Sequence, residues 1–152
     1  METIESKILH YLSHLQDIDY FAAIVNSVSD TELCNIINEL LQSGDNEIIG
    51  STCLFNQDLL ILGSRHHNRE KFVKGYPESL IVKNLEQLLF SPNHFTRKQV
   101  VYTLGKACSY SSTKVLNQAF NIYRDTDPIL LPRLIGEMGW LGGRLSLCYL
   151  NL

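Results

Sequence analysis

The stretch that decides the fold is SLIVKNLEQLLFSPNHFTRKQVVYTLGKAC, Ser79 to Cys108. Leu80, Ile81, Leu85, Leu88 and Leu89 recur at the three- and four-residue spacing of one helix face. Ser91-Pro92 interrupts, and Val100, Val101 and Leu104 resume the pattern on a second helix from about His94 to Cys108. Two helices joined by so short a turn form an antiparallel hairpin. The end of this unit recurs. Leu104-Gly105-Lys106-Ala107-Cys108 returns 31 residues later as Ile135-Gly136-Glu137-Met138-Gly139, and Leu62-Gly63 forms a third copy 42 residues before Gly105. A small residue at that place predicts a close approach of the two helices of a hairpin. The longer interval before Gly105 assigns Arg65 to Tyr76 to an insert.

Outward from this unit the same period continues. Ile4, Ile8, Leu9, Leu12 and Leu15 predict one amphipathic helix, and Asp19 a cap for a second over about Tyr20 to Val28. Ser29-Asp30-Thr31-Glu32 has the form of a capping box. The helix it opens runs to Gly44, and the next from about Asn46 to Leu62. Pro77 opens the helix of the quoted unit, another spans Ser112 to Arg124, and Asp127-Pro128 places a cap before a proline at the start of a last helix to about Trp140. No stretch alternates apolar and polar residues as a half-buried strand does. The reading is all-α: an α-α superhelix of about four helical hairpins in a single domain, residues 1–152.

The pattern over 79–142 resembles the HEAT-like (armadillo-type) repeats, including the short repeats of phycobilisome lyases, and fades over 45–63. An apolar helix, a proline turn, Arg97 six residues after Ser91, and a Val-rich helix ending in Leu104-Gly105 match the family pattern. Two departures stand out. Ser91 occupies the place of the usual Asp, and Pro128 the place of the second unit's Arg. The resemblance implies a solenoid whose Leu-Gly helices line its concave surface.

Composition bounds the function. Net charge is −3, and 45% of the 152 residues are hydrophobic, as in ordinary globular chains. The charge is unevenly spread. Residues 1–60 carry ten acids and one base, Lys7, while residues 61–152 carry twelve bases and six acids. No apolar run approaches the roughly 18 residues of a membrane span. The acidic start, Met1-Glu2-Thr3-Ile4-Glu5, lacks the basic and apolar regions of a secretory signal, so a cytoplasmic protein is expected. Cys34, Cys53, Cys108 and Cys148 form no Cys-x-x-Cys pair and read as small core residues. His66-His67 reads as a polar loop rather than a metal site. No nucleophile motif or phosphate loop is present, and no catalytic residue, metal or cofactor is expected.

Candidate binding residues fall in two groups. The insert interleaves Arg65, Arg69, Lys71 and Lys74 with Phe72 and Tyr76, a composition that suits a phosphate backbone or an acidic protein surface as well as a solvated connector. The 31-residue register aligns Tyr102 with Arg133, Lys106 with Glu137 and Ser109 with Trp140. Lys98, Tyr102 and Lys106 step along one helix face, and Arg133, Glu137 and Trp140 along the next. These stripes suit a ligand-holding groove, or equally a polar face with Tyr102 and Trp140 partly in the core. The expected function is that of a non-enzymatic protein-binding scaffold whose partner is another protein. Charge alone supports an alternative, an immunity protein or antitoxin against a basic toxin. The resemblance alone supports another, a bilin-lyase-like handler of a chromophore. With residues 1–60 at −9, nucleic acid is not an expected partner. Past Arg144 the chain offers Leu145, Leu147, Tyr149, Leu150 and Leu152 without a charge, which predicts self-association or a partner over 145–152.

Overall fold

The computed structural model describes residues 2–66, 69–107 and 112–142, with backbone alone for 64–66 and 137–142. Among them are nine α-helices and no strand. They are α1 (Ile4–Leu9), α2 (Ile18–Val25), α3 (Asp30–Leu41), α4 (Asn46–His66), α5 (Glu70–Gly75), α6 (Leu80–Leu88), α7 (His94–Ala107), α8 (Ser112–Tyr123) and α9 (Leu131–Gly142), with 3-10 turns at Tyr11–His14 and Tyr76–Glu78. Helix starts are fixed by side chains that accept otherwise orphaned N–H groups. Thr3, Asp17 and Ser29 cap α1, α2 and α3. Asp45 Oδ1 accepts from Glu47 N at 2.9 Å, and Asn93 Oδ1 from Thr96 N at 2.9 Å. Each such cap contributes about 1 kcal/mol. Gly44, at φ +76°, makes the left-handed turn between α3 and α4.

The helices pair as hairpins and the hairpins lie side by side. α3 packs on α4, α6 on α7 and α8 on α9. Across hairpins, α3 meets α6 and α6 meets α8 in one row, while α4 meets α7 and α7 meets α9 in a second. α1 and the Tyr11–His14 turn cover the free side of α4. One continuous core runs through the rows from Ile8 to Leu134. Polar pairs bridge neighbouring hairpins along the way. Asn84 donates to Asn38 Oδ1 at 2.7 Å, and Thr96 to Asn46 Oδ1 at 2.7 Å.

Four sequence expectations change. The helix expected from Ile4 to Leu15 stops at Leu9, because the chain turns to bury Tyr11. Its ring stands edge-on to Phe55, centroids 5.3 Å apart, and its hydroxyl donates to Asp58 Oδ2 at 2.5 Å. A buried aromatic with a satisfied hydroxyl outweighs the apolar spacing, and Leu12 and Leu15 are left exposed. Asp17 rather than Asp19 caps α2. Asp127 does not cap the last helix, which begins at Leu131, because its carboxylate is held by α7. The expected close approach of hairpin partners is not found at Gly63 or Gly136. A Cβ on Gly63 would meet Val73 Cγ2 at 3.2 Å, so the contact is with the insert rather than a hairpin partner; at Gly136 no described atom lies within 4 Å. Among the described residues no helix is long and apolar enough to cross a membrane.

Candidate functional site

The central helix α4 is buried on nearly every side and keeps one open stripe. Glu47, Gly50, Leu54, Gln57 and Ile61 step along it at three- and four-residue intervals, exposed or half-buried. On α7 the matching stripe is Phe95, Gln99, Tyr102 and Lys106, and on α9 it continues at Arg133 and Gly136. Gln57 joins the first two helices by donating to Gln99 Oε1 at 3.3 Å and to Thr103 Oγ1 at 3.2 Å. The Arg133 guanidinium lies 3.0 Å from the centre of the Tyr102 ring, joining the second and third. The register of the repeat thus places Tyr102 beside Arg133 as expected. Both are half-buried and stacked on each other. Lys98 and Lys106 are half-buried one turn to either side of Tyr102. Glu137 and Trp140 lie on α9, but their side chains fall outside the described residues, as does the whole of 145–152.

Where this face meets the N-terminal turn it hollows into a groove of about 570 Å³. Its walls are Leu9 and Leu12 on one side, Ile48 and Leu54 on α4, and Phe95 and Gln99 on α7. Phe95 is 74% exposed and Leu12 59%. Asp45 and Glu47 also line it, as does His10, which lies beside Glu2 (3.6 Å). Gly50 is part of the lining. A smaller hollow adjoins. It shares Glu47, Gly50, Phe95 and Gln99, so the groove continues between the starts of α4 and α7. This groove was missed in the sequence because the apolar period assigned Leu12 to the core. Gly50, a glycine inside a long helix, is the signal that marks it.

The insert is largely structural. Phe72 and Tyr76, expected beside the basic residues on a surface, are buried, and the Tyr76 hydroxyl donates to Asn56 Oδ1 at 2.7 Å. Arg69, expected to face a ligand, is folded inward. It pairs with Asp30 at 2.6 Å and donates to the carbonyls of Val25 and Val28. Lys71 and Lys74 are exposed on α5, and the side chain of Arg65 lies outside the described residues. Between α5 and α3 sits a pocket of about 320 Å³ lined by Cys34, Phe72 and Tyr76, with Asp30 and Lys71 at its rim. Burial and the nearby Asp30 push the Cys34 thiol above its ordinary value, which keeps it protonated and unreactive. Burial pushes Cys53 up to about 12, although a hydrogen bond with Thr103 works the other way. Cys108, Cys148 and His67 lie outside the described residues.

A well-buried ionic group ties hairpins together. Asp127 Oδ2 accepts from Arg97 Nη2 at 2.7 Å and lies 2.9 Å from His94 Nδ1, while Arg97 also donates to the Ser91 carbonyl at 2.8 Å and covers the Tyr123 ring at 4.6 Å. Burial opposes ionisation of Asp127, but the hydrogen bonds and charges of Arg97 and His94 outweigh it and hold the carboxyl below the usual value. No family model, curated protein or solved structure matches this chain.

Proposed function

We propose that this chain is a non-enzymatic protein-binding module, a HEAT-like solenoid of about four hairpins that holds a partner on the open face of α4, α7 and α9. The pairing of α3 with α4, α6 with α7 and α8 with α9 in two rows supports the repeat reading. The observation that carries the function is the groove at the N-terminal end of that face, with Phe95 and Leu12 open on its lips. Large apolar side chains gathered around a hollow mark interaction surfaces, and aromatic anchors dominate many interfaces. The buried ionic group points the same way. Arg97, His94 and Asp127 join one hairpin to the next rather than converge on a cleft, which suits a scaffold. The face is acidic near α4 and basic near Lys106 and Arg133, so electrostatics would orient what it holds.

The test is capture of partners at low salt by the chain and by single variants. Phe95→Ala should lower retention of a specific protein by about tenfold or more, the scale of an interface anchor. Lys83→Glu, on the exposed part of α6 in the opposite row, should leave it unchanged. Retention should also fall steeply between low and high salt. A captured protein that tolerates Phe95→Ala and is lost with Lys83→Glu would move the interface to the other row and sink the reading.

A further inference from the structure

Gly50 has no structural reason to be a glycine. Its backbone is helical and not left-handed, and a Cβ built on it meets nothing within 4 Å. Inside a helix a glycine costs about 0.5–1 kcal/mol relative to alanine. Gly50 lines the 570 Å³ groove together with Leu12 and Phe95, and the space where its side chain would stand is open. The charged residues lining that groove on α4 and its cap are acids, Asp45 and Glu47, within a stretch where residues 1–60 hold ten acids and one base.

We infer that the groove is a docking site for a basic amphipathic segment of a partner protein, one whose large apolar side chain enters over Gly50 while Lys or Arg beside it meets Asp45 and Glu47. This rests on the protein-binding reading above and names the chemistry of the occupant. The apolar walls Leu9, Leu12, Ile48, Leu54 and Phe95 take the anchor, and the two acids select its flank. An acidic or neutral segment would leave Asp45 and Glu47 without a counter-charge, and like charges facing each other across an interface are disfavoured. Glu47 is the carboxylate to vary, because Asp45 also caps α4.

The experiment uses the full chain and a fluorescein-labelled amphipathic peptide of Leu and Lys, with a Leu and Glu peptide of the same pattern as comparison. The Leu/Lys peptide should bind at least about tenfold tighter than the Leu/Glu peptide, and Glu47→Lys should weaken it by about tenfold. Gly50→Leu should abolish its binding while leaving the melting temperature equal or higher, because the new side chain fills the groove and removes a helix-interior glycine. Lys83→Glu should change nothing. Equal binding of the two peptides, or undiminished binding to Gly50→Leu, overturns the inference. If those peptide results fail while a captured partner is still lost with Phe95→Ala, the inference falls and the broader reading stands. If Phe95→Ala has no effect either, both fall. A chain that sediments as a dimer and becomes monomeric with Gly50→Leu would assign the groove to a second copy and overturn the choice of occupant.

Discussion

Asp127→Ala is expected to lower the stability of the chain by about 3–5 kcal/mol, the cost of stripping a buried charge of its partner. The carboxylate is 7% exposed, and the Arg97 side chain it neutralises is 11% exposed. Removing it leaves Arg97 with the Ser91 carbonyl and the Tyr123 ring, and a guanidinium without a counter-ion in the joint between α7 and the turn before α9. In a chain of this size each kcal/mol moves the melting temperature by about 2–4 °C, so thermal unfolding reads the effect easily. Replacing both partners, as Asp127→Ala with Arg97→Met, should recover part of the loss, because apolar substitutes remove the buried charge. The pH dependence has a definite sign. The folded value of the Asp127 carboxyl lies below the unfolded one, so its contribution is complete above about pH 4 and drains away as pH falls through the folded value. The stability gap between the natural chain and Asp127→Asn should therefore be level near neutrality and close in acid below about pH 4. A loss under about 1 kcal/mol for Asp127→Ala would mean that the pair is solvated and does not join the hairpins.

This pair shows where local sequence reasoning ends. Helix content, the cap at Ser29, and the neighbourhood of Tyr102 and Arg133 follow from periodicity, from residue types at helix starts and from the 31-residue register. All three are short-range or translational signals. The partner of Asp127 is neither. Its sequence context, an Asp before Pro128, is that of a helix cap, and a residue 30 positions away on another helix takes the carboxylate instead. Ser91 offers no carboxylate to Arg97 within its own hairpin, and Arg97 reaches the Ser91 carbonyl and Asp127 of the next hairpin at once. The groove was hidden for a related reason. Leu12 fits the apolar period of α1, and only the competing burial of Tyr11 turns the chain and puts Leu12 on the surface. Gly50 was legible as a glycine inside a helix, but its meaning depends on the empty space above it.

Arg69→Ala is expected to cost about 3 kcal/mol and to loosen one corner of the molecule rather than all of it. By composition Arg69 belonged with Arg65, Lys71 and Lys74 as a surface cation, yet its side chain is 15% exposed. It spans the turn between α2 and α3, donating to the carbonyls of Val25 and Val28 and pairing with Asp30 in the first turn of α3. The two carbonyls lie at and beyond the end of α2, where backbone acceptors have no intrahelical partner. Alanine would leave them without this donor, and each orphaned buried acceptor costs about 1–3 kcal/mol. Asp30, 43% exposed, can turn to water, so little of the loss comes from its charge. The insert supplies the rest of the joint: the Arg69 amide donates to the Gly63 carbonyl at 3.0 Å, and Val73 rests against Gly63. Hydrogen exchange should therefore quicken over α5 and the α2–α3 turn well before α6 and α7 respond, as expected for a locally unfolding unit. Arg69→Lys should rescue little, because one ammonium cannot reproduce a planar fork on three acceptors. If Arg69→Ala left exchange and stability unchanged while weakening a partner's binding, the residue would belong to the surface group its composition suggests, and the clamp on the α2–α3 turn would be incidental.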